Sequence, residues 1–173
     1  MTLIVSGTNR PNSNTFKVSK YYQKVLAEKG VDSIILDLCN LPESLISPNS
    51  YQKNYTDFQD FQTQIDATEK LIFVIPEYNG SYPGVLKLFV DACAYPNSFF
   101  DKKAALVGIS TGKYGNIRGI DHFTGVCNYA NLHVLPLKIH IPYINLELNK
   151  EHHLYKEDTL KFTNQQIDRF IKF

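Results

Sequence analysis

The sequence predicts an α/β protein, a doubly wound sheet of five parallel strands with helices on both faces. Two observations carry this reading. Short apolar runs alternate along the 173 residues with segments of helical period, the pattern of repeated β-α-β units. Three of these runs also end abruptly in polar, glycine-containing turns, at residues 7–15, 76–84 and 108–116. Open parallel sheets bind ligands at the carboxyl ends of their strands. Right-handed crossovers and the order 2-1-3-4-5, the common solution for five strands, put the switch point between strands one and three. The first and second turns are then neighbours.

Each element has its own signal. Residues 3–6, with Leu3, Ile4 and Val5, open the sheet. Phe16, Val18, Tyr21, Tyr22, Val25 and Leu26 recur at helical spacing through Lys29, and Gly30 is a stop signal. Residues 31–38 form strand two. Residues 39–56 hold two prolines, several Asn and Ser and few periodic apolar residues, and read as a long surface loop. Phe58, Phe61 and Ile65 mark a short helix before strand three at residues 71–75. Pro83 fits the first position of a third helix, where a missing N–H costs nothing, and that helix runs to Ala94. An aromatic turn, Tyr95 to Phe100, precedes strand four at 104–109. A fourth helix follows at 116–131, weakened by Gly119, Gly125 and Asn128. Strand five covers 132–137 and leads into a segment through Pro142. Residues 159–173 close with a helix whose apolar face includes Leu160, Phe162, Ile167, Phe170 and Ile171. No repeat, charge block or linker divides the chain, so residues 1–173 are expected to form one domain.

Composition excludes several classes of function. With 43% hydrophobic and 20% charged residues and a net charge of +1, neither nucleic acid nor an anionic membrane is an expected partner. Cys39, Cys93 and Cys127 lie far apart and outside C-x-x-C or zinc spacing, and read as small apolar residues. The start, Met1-Thr2-Leu3-Ile4-Val5, lacks the basic region of a signal peptide. No run approaches the roughly 20 apolar residues of a membrane span. The expected location is cytoplasmic.

The loops suggest chemistry. Thr8, Arg10, Ser13, Asn14 and Thr15 place hydroxyls, an amide and a guanidinium between a strand and a helix N-terminus. A phosphate dianion calls for such donors, with the helix dipole adding its positive end. Ser13 or Asn14 also suits simple capping, worth about 1 kcal/mol, but capping explains one residue and leaves the cluster unexplained. G-x-G-x-x-G is absent. Gly108 to Lys113 falls one residue short of a Walker A spacer, with Tyr114 where a Mg²⁺-binding hydroxyl is needed. The segment also matches G-x-S-x-G, yet no later Asp…His pair supports a hydrolase. His152 and His153 are adjacent and diverge, and neither His133 nor His140 has an evident carboxylate partner. No metal site is expected.

Taken together, the loops resemble the NAD(P)H-dependent FMN reductase family, which is flavodoxin-like and includes quinone, chromate and azo-dye reductases. The family's G-S-x-R-x-x-S appears as Gly7-Thr8-Asn9-Arg10-Pro11-Asn12-Ser13. Its P-E-Y-N-x-S-x-P-G-x-L-K-N-x-x-D appears as Pro76-Glu77-Tyr78-Asn79-Gly80-Ser81-Tyr82-Pro83-Gly84-Val85-Leu86-Lys87-Leu88-Phe89-Val90-Asp91, and this match is long and specific. S-x-G-x-x-G-G appears as Ser110-Thr111-Gly112-Lys113-Tyr114-Gly115-Asn116. The likeness runs from Leu3 to about Pro136.

The resemblance implies an oxidoreductase that moves hydride from NADPH or NADH, by way of bound FMN, to a quinone, flavin, azo compound or metal oxyanion. Thr8, Arg10, Ser13, Asn14 and Thr15 would hold the FMN phosphate. Pro76, Glu77, Tyr78 and Asn79 would line the ring. Ser110, Thr111, Gly112, Tyr114 and Gly115 would approach its pyrimidine end, where backbone donors suit negative charge. No protein nucleophile is needed. Glu77 has two readings, ring contact or acceptor for local backbone donors. Three positions depart from the family pattern: Thr8 keeps a hydroxyl, Leu88 removes an amide, and Asn116 replaces a glycine and re-routes the third loop. The alternatives are a flavodoxin-type electron carrier, for which a chain at +1 offers no strongly acidic docking face, or a flavin-binding sensor. The family also implies a homodimer or dimer of dimers, with the aromatic turn at its surface.

Overall fold

The computed structural model describes residues 1–52 and 55–173; Lys53 and Asn54, within the expected loop of residues 39–56, lie outside the described residues. The elements follow in the order β1 (Thr2–Ser6), α1 (Asn14–Glu28), β2 (Ser33–Asp37), α2 (Gln59–Asp66), β3 (Lys70–Pro76), α3 (Gly84–Ala92), β4 (Lys103–Ile109), α4 (Ile117–Tyr129), β5 (His133–Val134), β6 (Ile139–Ile141), α5 (Ile144–Glu147) and α6 (Glu157–Lys172). The sheet runs β2-β1-β3-β4-β5, with β6 also on β4, and these pairings are all parallel. This is the flavodoxin-like order the sequence predicts.

The sheet has two buried faces because side chains alternate along a strand. Leu3 and Val5, Leu71, Phe73 and Ile75, and Ala104 and Leu106 meet Leu86 and Phe89 of α3 and Ile120 and Phe123 of α4 on one side. Ile4, Ile72, Val74, Ala105 and Val107 meet Val18, Tyr22 and Leu26 of α1 and Ile167 and Phe170 of α6 on the other. Each such side chain, fully buried, contributes about 1.5–3 kcal/mol relative to exposure.

Three expectations change. Residues 39–51, expected as part of a featureless loop, coil through three short 3-10 turns that begin at Leu38, and Leu45 is buried in the core with Phe58. An aperiodic leucine helps to pin this segment, and periodicity does not register it. Pro83 is the residue before α3, in extended conformation, rather than its first helical position.

The expected strand of residues 132–137 is also cut short. β5 pairs with β4 only at Lys103 and Ala104, and β6 resumes at Val107. Pro136, which has no N–H to give, lies in the gap. Gln166 of α6 fills it. Its Nε2 donates to the Leu106 carbonyl (3.0 Å) and to the Leu137 carbonyl (2.8 Å). The hydroxyl of Tyr22 donates to its Oε1 at 2.8 Å. Burial pushes the Tyr22 phenol well above its usual value, so it stays a donor. Helix α6 is held one turn further on as well, at its carboxyl end, where Lys70 Nζ donates to the carbonyls of Phe170 (3.2 Å) and Ile171 (3.0 Å).

Candidate functional site

At the switch point between β1 and β3 a cleft of about 480 Å³ opens at the carboxyl ends of the strands. Thr8, Arg10, Ser13, Asn14 and Thr15 line it from the loop after β1. Pro76, Glu77, Tyr78 and Asn79 line it from the turn after β3, and Ser110 and Thr111 from the loop after β4. Gly112, Tyr114 and Gly115, also expected there, are not among the lining residues.

The first loop is built around a fully buried threonine. The Thr8 hydroxyl accepts from the Arg10 N–H (3.3 Å) and lies 2.6 Å from the Tyr78 hydroxyl. The Arg10 guanidinium lies 4.6 Å from the centre of the Tyr78 ring, a cation–π distance. One face of Tyr78 is therefore taken by a cation, and its hydroxyl ties the second loop to the first. Ser13 caps α1 by accepting from the Phe16 N–H at 3.1 Å, which is the plainer role foreseen for it. The N–H groups of Asn14 and Thr15, in the first turn of α1, lack intrahelical partners by the geometry of any helix start. Asn14 accepts from Lys17 Nζ (3.1 Å) and donates to Asn145 Oδ1 (2.8 Å).

The turn after β3 is a two-residue hairpin. Tyr78 and Ser81 exchange backbone bonds of 2.9 and 3.1 Å, and Asn79 and Gly80 sit at φ of 51° and 78°. Both central residues at positive φ make the Asn-Gly turn of type I′, which explains these two residues by backbone geometry alone. The Glu77 N–H donates to the Ile109 carbonyl at 2.9 Å, extending the β3–β4 ladder into the site. Ser81 Oγ lies 2.9 Å from His122 Nδ1 and so joins the hairpin to α4.

The third loop is closed by its own serine. Ser110 Oγ accepts from the Gly115 N–H (2.9 Å) and donates to the Gly112 carbonyl (3.0 Å). Gly115, at φ 57°, packs so tightly that a Cβ would stand 2.7 Å from the backbone of His140 and Ile141. Asn116 is buried at φ 63°, in the left-handed region, and its Nδ2 donates to the Ile75 carbonyl at 3.0 Å. Asparagine tolerates this left-handed backbone, and its side chain adds an amide strut between the third loop and the end of β3. A Cβ on Gly119 would come within 2.1 Å of Asn116 Oδ1, so the amide and this glycine fit as a pair.

A fourth segment escaped the sequence reading. Ile144 and Ile109 line the cleft, and the backbone of residues 141–144 bonds the third loop through Ser110 N–H to Ile141 O (3.1 Å), Tyr143 N–H to Gly112 O (2.9 Å) and Ile144 N–H to Ser110 O (2.9 Å). The only hint was Pro142, which ends an apolar run. Two of the three thiols are held protonated: burial raises both Cys93 and Cys127, the latter to about 12, so neither is a thiolate at neutral pH.

The cleft thus brings a cation and a set of hydroxyl and N–H donors alongside Tyr78, Pro76 and a backbone-rich loop. A phosphate joined to a flat heterocycle has this distribution of chemistry, and the donors suit FMN.

Comparison with known proteins agrees. Residues 1–145 match the family described as NADPH-dependent FMN reductase. A 2-hydroxy-1,4-benzoquinone reductase of Burkholderia sp is 30% identical over 129 residues, 69% of this chain and 70% of that protein. An NAD(P)H-dependent FMN reductase of Pseudomonas aeruginosa is 31% identical over 113 residues, 64% of this chain and 60% of that protein. Among solved structures, the flavoenzyme NAD(P)H:(acceptor) oxidoreductase FerB of Paracoccus denitrificans superposes with a TM-score of 0.83 at 23% identity, covering 99% of this chain and 94% of that one.

Proposed function

The chain belongs to the NADPH-dependent FMN reductase family, and from that premise we propose that it binds FMN in the switch-point cleft and passes reducing equivalents from NADPH or NADH to a small-molecule acceptor. Quinones are the first acceptor class to test, given the Burkholderia relative, followed by free flavin, azo compounds and metal oxyanions. The convergence of three loops on one cleft, which joins a cation and phosphate-type donors to a wall of Pro76 and Tyr78, is the observation that supports this reading most strongly.

Thr8, Arg10, Ser13 and the first N–H groups of α1 would hold the phosphate. Pro76, Glu77, Tyr78 and Asn79 would flank the ring, and Ser110, Thr111 and the loop they begin would meet its polar edge. Bound FMN supplies two-electron transfer between the nicotinamide and the acceptor. The protein's own task is to orient and to exclude water. Arg10 sets charge against the phosphate, Tyr78 holds the first and second loops together, and Asn116 fixes the third loop to β3. NADPH consumption by the FMN-loaded protein, followed with a panel of quinones and azo dyes, tests the proposal. A yellow protein inert toward every acceptor overturns it.

Two finer points belong to the same proposal. A groove of about 550 Å³ between α3 and α4, flanked by Tyr95 and Tyr129 at 76% and 86% exposure, suits a dimer contact. Elution as a monomer at micromolar concentration would refute it. A cytoplasmic location is supported by three free thiols, which belong in a reducing compartment.

A further inference from the structure

A second groove, of about 850 Å³, runs beside α1 and meets the flavin cleft at Asn12, which lines both. Its floor is apolar and aromatic, with Phe16 and Tyr21 half-buried and Leu154 buried. One wall carries Lys17, Lys20 and Lys24, spaced along one face of α1. The other carries the exposed His152 and His153, with Glu151 the one acidic side chain among the described lining residues. Lys17, bonded to Asn14 Oδ1 at 3.1 Å, stands at the mouth beside the phosphate loop. Lys20 Nζ lies 4.8 Å from the centre of the Phe16 ring. Lys24 faces Glu28 at 3.8 Å with both ends well exposed, a pairing weak enough to be exchanged for another anion. From Phe16 to Lys24 the helix rises about 12 Å.

We propose that this groove binds the adenosine monophosphate half of FAD, with the FMN half in the neighbouring cleft, so that the protein accepts FAD as well as FMN. The inference rests on the flavin reading of that cleft. The crest of the first loop, Asn9 to Asn12, is exposed, and Asn12 lines both the cleft and the groove, so a ligand can leave the phosphate site over Asn12. A second phosphate there meets Lys17 first, with Lys20 and Lys24 beyond it. A simple polyanion would need only the lysines. The floor of Phe16, Tyr21 and Leu154 adds a flat apolar surface, which a purine uses and an inorganic anion does not.

The test is calorimetric titration of the apoprotein with FMN, FAD and ADP, repeated on the charge-reversed pair Lys20→Glu/Lys24→Glu. FAD is expected to bind at least as tightly as FMN, and ADP is expected to bind alone and compete with FAD. The double substitution is expected to weaken FAD and ADP about tenfold, the effect of roughly one lost charged hydrogen bond, while FMN changes by less than about twofold and so reports intact folding. FAD binding about tenfold weaker than FMN, or a double variant that weakens both flavins alike or neither, overturns the proposal. ADP that binds the FMN-loaded protein and is displaced by NADPH, with FAD weak, assigns the groove to the nicotinamide dinucleotide and also overturns it. If FMN itself does not bind, the flavin reading fails, and the ADP titration decides the groove separately.

Discussion

Asn116 gives the sharpest test of how the site is held, because two substitutions at that position separate two physical effects. Asn116→Gly removes the amide strut to the Ile75 carbonyl and keeps a backbone at ease at φ 63°. Asn116→Ala removes the same strut and leaves a Cβ in the left-handed region. The lost hydrogen bond is worth about 0.5–1.5 kcal/mol. Left-handed backbone costs an alanine roughly 1–2 kcal/mol, whereas asparagine is among the few residues that adopt it readily. Glycine gives back some tenths to unfolded-chain entropy. The glycine variant is therefore expected to lose about 1 kcal/mol and the alanine variant about 2–3 kcal/mol. Urea unfolding with a common m-value reads both directly. FMN affinity, followed by flavin fluorescence, is expected to fall in step, since the strut ends on the strand that carries Pro76 and Glu77. Equal stabilities of the two variants, or an alanine variant as stable as the parent, would refute the argument that this residue combines a conformational and a hydrogen-bonding role.

Other expectations follow from geometry already described. Gln166→Leu strips partners from Tyr22 and from the Leu106 and Leu137 carbonyls, each worth about 1–3 kcal/mol if left buried and unpaired, so unfolding measurements should show a loss of at least 3 kcal/mol. In a double-mutant cycle Tyr22→Phe should recover about 1 kcal/mol of that loss, and strict additivity would deny the coupling. Arg10→Ala should weaken FMN by roughly 1.5–3 kcal/mol, the range for a charged hydrogen bond, with riboflavin unaffected; an equal loss for riboflavin would remove Arg10 from the phosphate end. Burial holds the half-buried His140 imidazole below its usual 6.5, against an opposing pull from the Gly115 carbonyl 3.3 Å away. Its folded value lies below its unfolded one, so its contribution to stability is complete above 6.5 and is lost as pH falls through the folded value. His140→Gln should flatten that part of the acid limb of the pH–stability curve, and an unchanged limb would clear His140.

Much of this was legible in the sequence, and for identifiable reasons. Strands β1, β3 and β4 are buried on both faces, so they announce themselves as unbroken apolar runs ending where the cleft begins. Their turn chemistry, above all the Asn79-Gly80 hairpin, is local and readable from a dipeptide. What escaped was long-range. Whether residues 132–141 pair as one strand or two depends on Pro136 and on a glutamine 30 residues later that replaces the missing ladder bonds. Leu45 looks like an isolated apolar residue until the core gives it something to pack on. Ile144 enters the cleft through three backbone bonds, which no side-chain pattern encodes. The change from glycine to Asn116 was visible, but its strut to Ile75 was not, because that contact joins residues 41 positions apart.

The interrupted margin of the sheet has a consequence for how copies of this protein can meet. A long flat outer strand invites another chain to add to it by main-chain pairing, the route to runaway aggregation. Here the outer margin beyond β4 is two residues, a proline-containing break and three residues more, and its gap is occupied by a side chain from α6. That margin is a poor template for strand addition. Restoring it, for example by Pro136→Val, would lengthen the sticky border while leaving Gln166 in competition with it. Strand addition is thereby disfavoured at this border of the sheet, which leaves β2 (Ser33–Asp37) as the longer of its two edge strands.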